Sequence, residues 1–212
     1  MTRTCLLIAT IALFLMHSQV CAQSEDLPKF EVAAEFTTLE RDDFRGKRTE
    51  PGFGGRFTFN LNRVVSFETA GYFFPKRCVD CEENGRVTEV LGGVKVGKRF
   101  EKWGIFVKAR PGFVNFSRGE LELVPAGPFS FEVKRKPVTR FAADVGGVLE
   151  FYPSKRIVTR FDAGDTLIHF TRRTTNLVIF DPVTNSFSSV SFFRQARTTH
   201  NFQFMASVGF RF

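Results

Sequence analysis

Apolar and polar residues alternate along most of the chain from residue 29 onward. In the last segment every second residue from Phe202 to Phe212 is apolar, and the residues between them are mostly polar or small. A period of two is typical of β-strands that carry one apolar face. The pattern predicts eight strands, with approximate spans 29–40, 52–61, 64–74, 86–99, 103–117, 138–152, 157–170 and 200–212.

The connections between these segments alternate in length. Those near 60–63, 100–102 and 153–156 are short, whereas those at 41–51, 75–85, 118–137 and 171–199 are long. In the last two, alternation on both sides of a turn predicts hairpins that continue the neighbouring strands. Short turns at one end and long loops at the other are typical of membrane barrels.

The polar face of the predicted strands is strongly ionic. Besides the network residues named below, this face contains Glu89, Glu150 and Arg211. Its eight acids and six bases are nearly balanced, which favours a closed interior, because an unpaired buried charge is costly. The opposite face is almost free of charge over about 9 residues per strand, which is enough to cross a bilayer at a tilt. The sequence therefore predicts an all-β fold, an eight-stranded antiparallel up-and-down transmembrane β-barrel with a polar lumen. The predicted ionic network of the lumen comprises Glu31, Glu35, Arg56, Glu68, Lys95, Lys108, Arg110, Asp144, Arg160, Asp162 and Asp165.

One of these residues, Asp165, does not fit the alternation. Strict alternation from Phe161 would place Asp165 in lipid. We therefore predict a β-bulge at Gly164, since one extra residue would return Asp165 to the lumen.

Composition changes this picture little. No stretch reaches the 18 apolar residues of a membrane-spanning helix, and the apolar content excludes wholesale disorder. Phenylalanine is unusually frequent, with 28 residues against 2 tyrosines and 1 tryptophan, and it is spread evenly along the chain. A soluble barrel of the lipocalin type, with the apolar face inside, is the alternative architecture.

The first 22 residues have the pattern of a secretory signal peptide. Arg3 supplies a positive charge, residues 5–16 form a short apolar segment, and Val20 and Ala22 are small residues before a cleavage point. We expect cleavage before Gln23, so that residues 23–212 form the barrel domain.

Cleavage would leave two cysteines, Cys78 and Cys81, in a long loop. In an exported protein this spacing favours a local disulfide. A redox-active pair is disfavoured, because the acidic neighbours Asp80, Glu82 and Glu83 oppose formation of a thiolate. A zinc site would need four ligands, and no second pair follows.

These features together resemble a known family, the small eight-stranded outer-membrane barrels of the OmpA-like and OmpX-like type. The resemblance covers nearly all of residues 27–212. Its most specific motif is Phe210-Arg211-Phe212, which resembles the terminal aromatic signature that the barrel-assembly machinery reads. The resemblance also rests on the strand pattern, on Gly92-Gly93 and Gly146-Gly147, and on the turn at 151–154.

The resemblance implies a location in the outer membrane of a Gram-negative-type bacterium. It implies a monomer whose Phe210 and Phe212 form the assembly signal. Family members with two domains carry a peptidoglycan-binding domain after the barrel. This chain stops at the last predicted strand, so we do not expect that function here.

The predicted lumen bears on function. Eight strands leave room for little more than side chains, so a charged lumen predicts a structural or interaction scaffold that presents extracellular loops. We expect no enzymatic activity, no cofactor and no metal. One alternative is a narrow, gated, porin-like solute channel. A less favoured alternative is a lipid A-modifying barrel enzyme, in which His169 or His200 at the outer rim would act with Ser186, Ser188 or Ser189.

The net charge is +8, and the excess lies in the predicted outer loops. Export disfavours a nucleic-acid partner for these cations. Arginine forks match phosphate geometry, which favours contact with lipopolysaccharide. The basic residues predicted to face lipopolysaccharide are Arg41, Arg45, Arg48, Arg172 and Arg173.

Overall fold

The chain folds as a closed antiparallel barrel with one additional hairpin. The computed structural model describes residues 27–43, 46–78, 84–127, 130–181 and 186–212. The strands of the barrel are β1 (Phe30–Asp43), β2 (Gly46–Asn60), β3 (Val65–Cys78), β4 (Asn84–Arg99), β5 (Trp103–Gly127), β6 (Ser130–Phe151), β7 (Ile157–Phe170) and β10 (Arg197–Arg211). A separate two-stranded sheet contains β8 (Arg173–Asp181) and β9 (Ser186–Arg194). Within the described ranges, no helix is long and apolar enough to cross a membrane.

Each barrel strand pairs with its neighbours in the chain, and the first and last strands close the ring. On one side β1 pairs with β2, with Phe30 opposite Phe59, and on the other it pairs with β10, with Glu31 opposite Arg211. All pairs are antiparallel, and the strand order around the barrel is β1-β10-β7-β6-β5-β4-β3-β2. This confirms the predicted up-and-down topology.

The strands next to two of the long connections are longer than predicted. Residues 41–43 and 46–51 are strands and not an open loop, because the β1–β2 ladder continues through Arg41 opposite Arg48 to Asp43 opposite Gly46. The predicted hairpin at 118–137 is the extension of β5 and β6, which have 25 and 22 residues. The predicted hairpin at 171–199 is formed by β8 and β9.

Side-chain direction follows the alternation that the sequence shows. Outward side chains are apolar and exposed, as with Phe53 at 59% and Val107 at 66%. Inward side chains are buried, and many are charged, with Arg110 and Glu89 both fully buried. The only space that these buried residues share is the lumen, so the core of the protein is the interior of the barrel.

The bulge predicted at Gly164 is wrong. The ladders of β7 with β6 and with β10 run through Gly164 without a register shift. Gly146 and Gly164 lie opposite each other, and a Cβ atom on Gly146 would stand 2.4 Å from the carbonyl oxygen of Ala163. The glycine pair therefore allows close packing of the two strands, and Asp165 keeps the outward direction that strict alternation gives it.

Candidate functional site in the barrel lumen

An ionic network fills the part of the lumen nearer the short turns, and Glu68 lies at its centre. Its carboxylate contacts three cations, Arg160, Arg56 at 3.3 Å and Lys95 at 3.4 Å. Arg160 also donates to Asp162, with Nε–Oδ1 2.5 Å and Nη2–Oδ2 2.7 Å. These side chains come from β2, β3, β4 and β7, so the network joins strands that are not neighbours.

A second group of contacts extends the network toward β1. Arg56 donates from Nε to Glu35 at 2.8 Å and from Nη1 to the hydroxyl of Thr58 at 2.9 Å. Tyr72 donates to the other oxygen of Glu35 at 2.5 Å. Arg110 in turn donates to the Tyr72 hydroxyl at 3.3 Å. The tyrosine therefore bridges two ion pairs that the strands hold apart.

A third group involves β5, β6 and β7. Arg110 makes a two-nitrogen contact with one oxygen of Asp144, with Nη2–Oδ2 2.6 Å and Nε–Oδ2 2.8 Å. Lys108 lies between two acids, 2.9 Å from Asp144 and 3.1 Å from Asp162. All predicted network residues except Asp165 therefore point into the lumen and lie together.

Three further charged residues of the described structure join the network, of which Glu150 and Arg211 belong to the polar face predicted from the sequence and Arg99 does not. At the short-turn end, Glu150 pairs with Lys95, and Arg99 lies 3.7 Å from Glu150 and donates to the Tyr152 hydroxyl at 3.0 Å. Arg211 lies 3.4 Å from Glu31. The signal was available in the sequence, because these residues share the inward parity of their strands. The chain has 2 tyrosines, and both hydroxyls meet this network, whereas the outward face uses phenylalanine.

In the part of the lumen nearer the long connections, buried polar side chains such as Glu89, Gln203 and the pair of Arg41 and Glu50 lie beside a cluster of apolar side chains. We call this cluster of buried inward apolar side chains the apolar cap. Its members are Leu39, Ala70, Tyr72, Phe74, Val87, Leu91, Val114, Phe116, Ala142, Ile168 and Met205. The sequence-based picture of a wholly ionic interior is thus incomplete, because toward the long connections the inward positions become a mixture of apolar and polar residues.

Glu89 lies on the inward face of β4 between two cap residues, Val87 and Leu91. One of its oxygens accepts from the Gln203 amide at 2.9 Å, and the other makes no hydrogen bond within the described structure. Every other buried inward carboxylate of the described residues has a cation within ion-pair distance, and Glu89 has none.

Asp165 is on the outer surface of the barrel, not in the lumen as predicted. Its Oδ2 lies 2.6 Å from Nδ1 of His200 on the neighbouring strand β10. The side chains of Asp165 and His200 are 40% and 74% exposed. One oxygen of this carboxylate therefore has a partner on the outer side without a bulge. His169, the other histidine of the outer rim, lies 3.1 Å from the Thr198 hydroxyl.

The residues predicted to face lipopolysaccharide divide into three cases. Arg41 contradicts the prediction, because its side chain turns inward, pairs with the buried Glu50 at 3.0 Å and lies over the Phe116 ring. Arg48 is partly exposed and Arg172 is exposed, so for them the contact stays a prediction. Arg45 and the side chain of Arg173 lie outside the described part of the structure.

Two predicted sites remain, the cysteine pair and the C-terminal phenylalanines. Cys81 and the side chain of Cys78 fall outside the described residues, so the disulfide stays a prediction. Phe210 and Phe212 point outward and are 49% and 60% exposed. Among the described residues, no group of three His, Cys, Asp or Glu side chains is placed to hold a metal ion.

Comparison with solved structures identifies the fold. Neisserial surface protein A aligns with a TM-score of 0.50 over 87% of this chain and 97% of its own, at 11% identity. The chain has the fold of a small eight-stranded outer-membrane β-barrel. No model of a known protein family matches the sequence, and no curated protein matches it.

Two further outer-membrane barrels are similar at lower scores. Ail, the attachment invasion locus protein of Yersinia pestis, aligns at 12% identity with a TM-score of 0.45, covering 86% of this chain and 97% of its own. The N-terminal β-barrel domain of Pseudomonas aeruginosa OprF aligns at 12% identity with a TM-score of 0.42, covering 85% and 97%. The identities are too low to say more than the fold, so function has to be argued from the residues of this chain.

Proposed function

We propose that this barrel is a closed scaffold of the outer membrane that holds extracellular hairpins for interaction, and that it does not conduct solutes. The observation that carries this proposal is the two-layer filling of the lumen. The ionic network lies in the part nearer the short turns, and the apolar cap, together with buried polar side chains, lies in the part nearer the long connections. A solute would have to displace both layers.

The apolar cap supports closure independently of the ionic network. Phe74, Phe116 and Ile168 are almost fully buried although they point into the lumen. A polar pore lined by charged side chains admits water, but an apolar constriction resists wetting. The cap therefore opposes ion passage even where the ionic network would be hydrated.

The lengths of the strands support the interaction role. A strand needs about 9–11 residues to cross a membrane at a tilt. With 25 and 22 residues, β5 and β6 continue far beyond that length and form one long hairpin. The separate β8–β9 hairpin follows β7 at the same end. These two hairpins are the surface that the scaffold presents, and export by a signal peptide is part of the proposal.

Planar-bilayer recording tests closure directly. The unmodified protein is expected to show no steady, large conductance. A Phe74→Ser and Phe116→Ser double variant removes two rings of the cap and is expected to conduct measurably more, because the remaining polar interior can hydrate. Steady, large conductance of the unmodified protein would contradict the closed scaffold and favour the solute channel.

The matched control uses two phenylalanines that face outward on the same strands. Phe73→Ser and Phe113→Ser change the composition equally but leave the lumen filled. This control variant is expected to show no more conductance than the unmodified protein. If both double variants conduct alike, the current reports general loosening of the barrel, and the cap is not the seal.

We also propose that Phe212 contributes to recognition by the barrel-assembly machinery. Its ring is exposed next to Phe210 and Phe30, at centroid distances of 6.3 and 5.9 Å. Phe212→Ala is expected to lower the folded outer-membrane fraction at unchanged synthesis, as read from heat-modifiable gel mobility. Phe204→Ala, which removes another outward ring from β10, is the control and is expected to have a smaller effect. Equal effects would argue against a specific signal.

A further inference from the structure

We infer that the short-turn end of the barrel carries a binding site for the phosphate of an anionic phospholipid. This inference rests on the proposed membrane location, because the lipid is drawn from the leaflet that meets this end of the barrel. The site is a pocket of about 440 Å³ between the start of β1, the β6–β7 turn and the end of β10. Its lining combines cations with aromatic rings: Lys29, Lys155, Arg156 and Arg211 with Phe30 and Phe212.

Three of the four cations at this pocket have no acidic partner among the described residues. Lys29, Lys155 and Arg156 are exposed, and no described carboxylate lies within ion-pair distance of any of them. Arg211 lies beneath them, and its Nε, although 3.4 Å from Glu31, makes no hydrogen bond. Surface lysines and arginines commonly stay solvated, but here three exposed cations from two segments of the chain meet at one concave site above Arg211.

The backbone holds these segments in fixed relation. The Arg211 amide donates to the Arg156 carbonyl at 2.8 Å, and the amides of Phe30 and Phe212 each donate to the other's carbonyl at 2.9 Å. The Lys29 carbonyl accepts from the Asn60 amide at 2.8 Å. The turn that carries Lys155 is itself closed by Ser154, whose hydroxyl accepts two backbone amides. The cations therefore project from a rigid frame and need little ordering on binding.

The position of the pocket identifies its ligand as a lipid. Phe30 packs against Phe57, Phe59 and Phe212 at centroid distances of 5.9, 5.4 and 5.9 Å, and these outward rings belong to the apolar belt. Aromatic belts mark the depth at which acyl chains give way to headgroups. A lipid whose chains lie along these rings would place its phosphate among Lys29, Lys155 and Arg156. Arginine and lysine at this depth favour anionic headgroups.

The test is lipid retention by the reconstituted barrel. The full protein is placed in nanodiscs of phosphatidylglycerol and phosphatidylcholine in equal amounts, and retained lipid is read by native mass spectrometry after stepwise removal of the disc. The unmodified protein is expected to retain phosphatidylglycerol in preference by on the order of a hundredfold, since each of the three exposed cations contributes about fivefold at low salt. Lys29→Gln, Lys155→Gln and Arg156→Gln together are expected to bring the ratio close to one.

The control removes the same amount of charge from the opposite side of the same end. Arg63, Lys98 and Lys102 are exposed and do not line the pocket, so their triple replacement by Gln is expected to preserve most of the preference. Heat-modifiable mobility first shows that each variant is folded, and Lys155→Gln alone serves if the triple variant is not. A failure to fold or to stay closed would bear on the proposed function, whereas lipid retention bears on this site.

Three results would overturn the inference. One is an unmodified protein without preference, as would follow if Glu25 and Asp26, which precede Leu27 in the sequence, neutralised the cations. Another is an equal loss in both triple variants, which would indicate general electrostatics at this end. The third is complete displacement of the lipid by millimolar inorganic phosphate, which would show that the pocket binds free phosphate and that the acyl chains contribute nothing.

Discussion

Replacing Arg160 with Met is expected to lower the free energy of unfolding by about 3–5 kcal/mol. The change removes the cation that contacts Glu68, Asp162 and, at 3.7 Å, Glu150. Three buried carboxylates would then share the remaining cations, and an uncompensated buried charge is far more costly than a pair is stabilising. The measurement is a urea titration in lipid vesicles, with the folded fraction read from gel mobility.

The matched control is Glu89→Gln, which also changes one charged residue of the lumen. Glu89 has no cation among the described residues, and its hydrogen bond from Gln203 can be kept by an amide oxygen. The expected change is within about 1 kcal/mol. The double variant Arg160→Met with Glu68→Gln should recover part of the loss, because it removes one of the orphaned acids. Unaltered stability of Arg160→Met would show that water, not ion pairing, satisfies the network.

Replacing Phe116 with Ala is expected to cost about 3–5 kcal/mol, because the cap would be left with an unfilled cavity. Phe116 is 1% exposed and packs at a centroid distance of 6.3 Å from Phe170 and beneath the Arg41 guanidinium. The same titration measures the effect. A loss below 1 kcal/mol would mean that the cap collapses or hydrates without penalty.

Phe113 provides the comparison on the same strand. It is 58% exposed and faces outward, where lipid can fill the space that the ring vacates. Phe113→Ala is therefore expected to cost clearly less than Phe116→Ala. A larger loss for Phe113→Ala than for Phe116→Ala would contradict the assignment of Phe116 to the lumen and Phe113 to the lipid-facing surface.

The sequence predicted the barrel well because alternation is a direct consequence of strand geometry. Successive side chains point to opposite faces, so Phe57 and Glu68 reveal their directions without knowledge of the fold. Strand ends were less predictable. Residues 41–51 have the sequence of a charged loop, yet the backbone of 41–43 and 46–51 continues the β1–β2 ladder, because backbone pairing tolerates almost any side chain.

The sequence predicted which residues lie in the lumen, but not which of them form ion pairs with one another. Parity placed Arg56, Lys108 and Asp144 inside, but which cation meets which acid depends on contacts across the barrel. Asp165 and Arg41 were mispredicted for the same reason. Each was assigned to one side of the barrel by its charge alone. Both side chains instead follow the alternation of their strands, and each has a partner on that side, His200 for Asp165 and Glu50 for Arg41.

The ionic network also bears on how the strands find their correct alignment. A slip of one residue turns every apolar side chain inward, so alternation alone forbids it. A slip of two residues returns every side chain to its original face, so each phenylalanine again contacts lipid. The burial of apolar residues therefore does not distinguish this alignment from the correct one. That same slip moves a side chain along its strand by about 7 Å. Glu68 would then leave the reach of Arg160, Arg56 and Lys95 at once.

Ion pairing across the lumen therefore distinguishes strand alignments in which the lipid-facing surface is equally apolar. Strands β2, β3, β4 and β7 are tied to one another through a single carboxylate, and no two of them can slide independently without leaving a charge unpaired. The stagger of the strands fixes the girth and tilt of a barrel of given strand number. In this protein the ion pairs inside act with the short turns to select among staggers, while the hydrophobic pattern outside decides only which way each residue faces.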